Sequence, residues 1–298
     1  MRKSLLTATA AIFAFATPAN AADVDRELGL IVSGVVDSWA GVQFIDDGSD
    51  DDTVFVNGGE GLLSLPLGDN LSIQSDVKYE YNTYATEDVV DNDVFGPRYS
   101  FQGAVHLSWR DPARGLFGVF GGAGTTAFGF YPSNVSHDVA FVGGEAQIYL
   151  DNVTLYGQGG YVDFDPSGAG FRVDREGMTD GFFTRGVVRW FLGNDSRIQL
   201  EGTYLKSGMQ EASAPDVEVF SVGAQYDFVL AGLRIVGDTP LFVGYRGTFR
   251  EDCNFNSDVD DHTVMIGTTY SFSGDRLTVD RQGATLDTPD FNHSCIND

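Results

Sequence analysis

The sequence predicts an all-β fold, a transmembrane antiparallel up-and-down β-barrel of about 12 strands, and three observations lead there. Segments of about 10 residues alternate apolar and polar side chains, and tight turns alternate with longer, acidic connections. No stretch after residue 22 carries a helical stripe, or an apolar run near the roughly 20 residues that a spanning helix needs. Asp261 to Phe272 is a strand with one greasy face, where Val264, Ile266, Thr268, Tyr270 and Phe272 lie together and the intervening residues, Met265 excepted, are small or polar.

Met1 to Ala21 reads as a secretory signal peptide: Arg2 and Lys3, an apolar run from Leu5 to Ala16, Pro18, and the small-residue site Ala19-Asn20-Ala21. A short lead-in, 22–30, precedes the barrel, 31–272, and a tail, 273–298, follows it. The chain holds 18 Lys+Arg against 43 Asp+Glu, a formal net charge of −25; cleavage after Ala21 removes two basic residues, leaving 16 against 43, or −27. Such acidity repels phosphate backbones and excludes a nucleic-acid partner. It does not imply disorder, because 42% of residues are hydrophobic and 13% aromatic.

In order, the first strand is expected over Gly34 to Ile45, with Val36, Ala40, Val42 and Phe44 on one face, before the acidic stretch Asp46 to Asp52. The second, Thr53 to Leu65, is interrupted by glycine. After a turn at Gly68-Asp69-Asn70 the third, Leu71 to Asn82, sets Leu71, Ile73, Val77, Tyr79 and Tyr81 against six polar residues. A long acidic loop, Thr83 to Pro97, leads to the fourth, where Tyr99, Phe101, Val105, Leu107 and Trp109 oppose Ser100, Gln102, His106, Ser108 and Arg110. Asp111 to Gly115 reverses the chain into the fifth, Leu116 to Phe128; a loop near Tyr131 to His137, marked by Pro132, precedes the sixth, Asp138 to Leu150. The two-residue turn Asp151-Asn152 joins the seventh, Val153 to Phe164. Beyond the loop Asp165 to Asp180 come Gly181 to Leu192, Arg197 to Lys206, Val217 to Phe228, and, after an irregular connection Val229 to Thr239, Leu241 to Arg250. The acidic loop Glu251 to Asp260 returns to the last strand. A soluble sandwich also has many short strands, but short connections gathered at one end and a greasy face on nearly every strand favour the barrel. Trp109, Trp190, Tyr270 and Phe272 near the turn end, and Tyr79, Tyr81, Tyr204 and Phe249 near the loop end, would form the interfacial girdles.

Asp261 to Phe272 resembles the last strand of Gram-negative outer-membrane barrels, which usually closes on an aromatic, most often Phe, that the insertion machinery reads. Such a Phe normally ends the chain, whereas here the tail follows. The meander over 31–272 looks like the porin-like barrels, and Asp280 to Phe291 (DRQGATLDTPDF) is similar to tails of alphaproteobacterial members. The resemblance implies an outer-membrane location, with lipid and the barrel-insertion machinery as partners; it names no solute and no oligomeric state.

With the greasy faces in lipid, Arg185, Arg189, Arg197, Arg246 and Arg250 point inward from strands eight, nine and eleven, and Asp76, Glu80 and Glu145 from strands three and six. Opposed charge on two walls resembles the constriction of general porins; a salt-bridged lumen that only stiffens the barrel fits the same residues. About 12 strands fall between the roughly 8 that side chains can fill and the 16 to 18 that leave a water channel, so size does not decide. The functional readings are therefore a porin-like passive channel for small polar solutes or ions, a closed barrel with a structural or surface-interaction role, and, as a minor alternative, an omptin-like protease built on Asp91, Asp93, Asp260 and His262. No enzyme is expected. A phospholipase with its His on the lipid face is disfavoured by the parity of His106, and no GxSxG, HExxH or phosphate loop occurs. No cofactor or dedicated metal site is expected, since Asp46 to Asp52 and Asn254, Asn256, Asp258 and Asp260 do not follow the calcium-loop pattern; such loops would attract divalent cations loosely.

The two cysteines, Cys253 and Cys295, are expected to pair in an oxidising compartment. If the last strand ends in the periplasm, that pairing requires the tail to climb the lumen, where Asp280, Asp287 and Asp290 could meet the inward arginines. The distance allows it: residues 272 to 295 can span up to about 76 Å at roughly 3.3 Å each, against an apolar belt about 25 Å tall.

Overall fold

A computed structural model describes residues 32–46, 51–84, 98–129, 134–167, 178–193, 195–209, 216–233, 237–254 and 257–291. The strands are β1 (Ser33–Asp46), β2 (Asp51–Pro66), β3 (Leu71–Tyr84), β4 (Arg98–Asp111), β5 (Gly115–Gly129), β6 (Asn134–Leu150), β7 (Val153–Ser167), β8 (Met178–Phe191), β9 (Arg197–Met209), β10 (Val217–Leu233), β11 (Gly237–Asn254) and β12 (Ser257–Ser271). Each pairs antiparallel with its sequence neighbours, and β1 pairs with β12 from Val35↔Ser271 to Asp46↔Asp260, so the sheet closes into an all-β barrel of twelve strands.

Alternation decides which face each side chain takes. On β12 the outward Val264 and Ile266 are 57% and 55% exposed, and just past the strand Phe272 is 64% exposed, while inward Thr263 is buried. On β4, Leu107 and Trp109 stand outside and His106 is fully buried inside. The outer surface is thus an apolar belt of the kind that membrane barrels turn to lipid. Aromatics gather at its turn end, where Trp109 stacks on Phe117 at 5.2 Å and Trp190 and Tyr270 are exposed. Toward the loop end Tyr81 lies opposite Tyr99, Tyr79 opposite Phe101, and Phe220 between Tyr204 and Phe249.

The strands run past their greasy segments, because ladder hydrogen bonds continue where side chains have left the apolar belt. β6 begins at Asn134 inside the expected loop, β7 reaches Ser167, and β11 and β12 absorb much of Glu251 to Asp260. The irregular connection Val229 to Thr239 is largely strand too, its irregularity being a register shift between Leu230 and Leu233. At the turn end Asp151 takes φ +43°, a left-handed conformation that Asp tolerates and the two-residue turn needs. The leader, the lead-in, most of the acidic loop Thr83 to Pro97 with Asp91 and Asp93, and Cys295 lie outside the described residues, as does the side chain of Cys253.

Candidate functional site: the lumen and its tail

After β12 the chain turns inward. Asp275 Oδ1 accepts the Thr278 N–H at 2.8 Å and caps a two-turn helix, α1 (Arg276–Gln282), which ends where the Gly283 N–H reaches Val279 O at 2.8 Å. Gly283 is required by proximity, since a Cβ there would sit 2.0 Å from Ser33 Oγ. Residues 284–291 then run without regular structure along the inner wall of β3 to β8.

Side chains from that wall take up the tail's backbone groups. Gln74 Oε1 accepts the N–H groups of Thr285 and Leu286 at 3.0 and 3.2 Å, and Gln102 donates to Thr288 Oγ1 and Pro289 O at 2.9 and 2.8 Å. Asp76 Oδ2 accepts from Thr288 N and Oγ1 at 2.9 and 2.7 Å. Behind these, His106 lies between Glu145 (2.9 Å) and Asp76 (3.6 Å), and Glu145 also accepts from the Tyr156 hydroxyl at 2.7 Å. Higher up, Phe291 packs against Phe141 and Phe183 with ring centroids 4.8 and 5.0 Å away. Inward glycines make room for these rings: a Cβ on Gly122 would meet Phe141 Cζ at 2.5 Å, and one on Gly160 would meet Phe183 Cζ at 2.8 Å.

All eight lumen residues singled out in the sequence face inward. Arg185 pairs with Glu201 and Asp287, both at 2.6 Å. Arg189 holds Asp280 and Asp287, each at 2.9 Å, and donates to Thr285 Oγ1 at 2.6 Å. Arg246 bridges Glu80 (2.8 Å) and Asp290 (2.7 Å), and Lys78 also reaches Asp290 at 3.3 Å. Arg197 pairs with Asp227 at 2.6 Å, and Arg250 with Asp261. The opposed charges are therefore not left bare. Every one of the five arginines is matched, three of them by tail carboxylates, as burying a guanidinium requires. Asp76 and Glu145 serve the tail and His106 rather than a transverse field.

Asp260 and His262 lie in β12 rather than in a loop, on its outer side, while Asp261 between them faces Arg250 inside. His262 Nδ1 is 2.8 Å from the Tyr245 hydroxyl.

The tail does not fill the lumen. Beside it, along β9 to β12, β1 and β2, a cavity of about 130 Å³ is lined by Asp37, Trp39, Glu60, Glu201, Gln225 and Arg246 among others. Toward the turn end a second, of about 100 Å³, includes Asp37, Glu60, Arg197, Gln199, Thr269 and Arg276. Asp37, Glu60, Gln199, Gln225 and Asp287 line both, so the two spaces meet at that level. Sequence reasoning passed over Asp37, Trp39, Glu60 and Glu201, though their parity, opposite to Val36 on β1, Leu63 on β2 and Leu200 on β9, marks them as inward.

No family model matches the chain, and no curated protein does. Among solved structures it is similar to the translocator domain of the autotransporter NalP from Neisseria meningitidis (10% identity, 88% of this chain and 96% of that one, TM-score 0.46). It is similar also to an outer membrane channel from Pseudomonas putida F1 (10%, 80% and 95%, TM-score 0.47) and to a Pseudomonas aeruginosa FadL homologue (10%, 80% and 88%, TM-score 0.37). These are resemblances of barrel to barrel, and no activity is carried over from them.

Proposed function

We propose that this chain is an outer-membrane barrel, exported with a cleaved signal peptide, that acts as a porin-like passive channel for small polar solutes or ions. The supporting observation is the lopsided lumen: the tail closes the half against β3 to β8 and leaves polar space along β9 to β12, β1 and β2. In this reading the tail is a fixed constriction, held by Asp280, Asp287 and Asp290 on Arg189, Arg185 and Arg246. The Cys253–Cys295 disulfide, where formed, would tie the tail's far end to the external end of β11.

Planar-bilayer recording of the full chain tests this. The channel reading expects small, discrete, salt-dependent steps that grow when Asp280, Asp287 and Asp290 are changed together to Asn and the tail loses its anchors. A heat-modifiable, membrane-inserted barrel with no steps in either form would reject the channel and leave a closed structural protein.

A further inference from the structure

We propose that the open half of the lumen carries a subsite for neutral sugars, built from the indole of Trp39 and a set of amide and hydroxyl side chains, so that the solute passed is an uncharged carbohydrate; the transport part of this statement rests on the channel reading above.

Charge argues for an uncharged solute. The two joined cavities are lined by six carboxylates (Asp37, Glu60, Glu201, Asp280, Asp287 and Asp290) and by six Lys and Arg side chains. The two signs are interleaved rather than separated. Lys78 stands opposite Glu60 in the β2–β3 ladder and 3.3 Å from Asp290, Arg185 joins Glu201 to Asp287 at 2.6 Å each, and Arg189 holds Asp280 at 2.9 Å. A charged solute would give up its hydration here and meet only counter-charges that are already matched, whereas an uncharged one escapes that cost.

The lining groups argue for a sugar. A pyranose ring offers a face of C–H groups and a rim of hydroxyls that both donate and accept, so it fits a flat apolar ring set near polar side chains of both kinds. Trp39 supplies the ring. It lies across Gly58, its partner in the β1–β2 ladder, where a Cβ would come within 2.4 Å of the indole, and bare backbone there lets the ring lie against the wall of the cavity that it lines. Met265, the apolar residue on the otherwise small or polar side of the last strand, lines the same cavity and widens that platform. On its β9 and β10 side stand Gln199, Thr203, Ser221 and Gln225. Gln199 Oε1 accepts from Arg189 at 3.1 Å, which leaves its Nε2 to donate; Gln225 Nε2 donates to Asp227 at 2.9 Å, which leaves its Oε1 to accept. Gly223 and Gly244 line the space as well and add no side chain to fill it.

Trp39 also supplies a readout that does not depend on conductance. In the full chain carrying Trp109→Phe and Trp190→Phe, both on the outer face, Trp39 is the sole tryptophan. D-Glucose, D-glucuronate and D-glucosamine share one ring and differ in charge when compared slightly below neutral pH. Glucose should change Trp39 emission saturably, and each charged sugar should need at least about tenfold more to do so. Gln199→Ala with Gln225→Ala should raise the glucose half-saturation about tenfold, the effect of losing two hydrogen-bonding side chains. No saturable change with glucose, a charged sugar that binds as well as glucose, or unaltered binding after both substitutions would overturn the proposal. Saturable glucose binding in a protein that does not conduct would sustain the sugar site and reject the channel.

Discussion

The two halves of the lumen are built from the same strand pattern and end in opposite states. Against β3 to β8 the inward residues Gln74, His106, Phe120, Phe183 and Arg189 are buried, because glycines admit aromatic rings and the tail covers what remains. Along β9 to β12, β1 and β2 the inward residues are mostly short or polar, among them Gln199, Thr203, Ser221 and Gln225, and the tail does not reach across them. Alternation makes a barrel, then, and does not say whether it is filled. Filling is decided by inward side-chain volume and by a segment from the chain's end that carries its own counter-charges.

The largest effect on this contrast should come from Asp287→Ala. Of their carboxylate partners Arg185 would keep only Glu201 and Arg189 only Asp280, and a broken buried pair costs up to about 5 kcal/mol. Urea unfolding of detergent-folded protein should show that loss, with larger conductance steps as the tail loosens. Phe291→Ala comes next, at about 3 kcal/mol, because it empties the ring cluster of Phe120, Phe141 and Phe183 without touching a charge. A smaller and sharper test applies one substitution to each half. Gly160→Ala places a Cβ 2.2 Å from Val142 O, which is backbone and cannot yield, and should cost about 1 to 3 kcal/mol. Gly223→Ala meets only the movable Glu201 side chain, nearest at 2.6 Å, and should cost less than about 0.5 kcal/mol. Equal losses in both would erase the difference between the halves.

How much of this was legible in the sequence follows from what is local. Parity is local, so Val264 and Ile266 outside and Arg185 and Arg189 inside could be read from neighbours two residues away. Strand ends were read short, because a greasy face tracks the membrane belt while the ladder of β11 and β12 continues beyond it. Ion partners are not local: Arg246 meets Glu80, 166 residues away, and Asp290, 44 away, and no alternation rule pairs them. Trp39 was missed for a related reason. Tryptophan in a membrane barrel is expected in the girdles with Trp109 and Trp190, and only its odd number on β1 and the bare Gly58 beneath it betray an inward ring.

The measurement that bears most directly on the lopsided lumen is thiol labelling from the aqueous side. In a Cys253→Ser, Cys295→Ser background, single cysteines would replace Ser221 and Thr203, which line the open half, and Ser108 and Thr154, which are 1% and 0% exposed against the packed half. Folded, membrane-inserted protein would then meet a small cationic methanethiosulfonate. The structure predicts rapid modification at 221 and 203 and protection at 108 and 154 until the tail's anchors are removed. Equal reactivity at all four positions, or protection at 221 and 203, would contradict it.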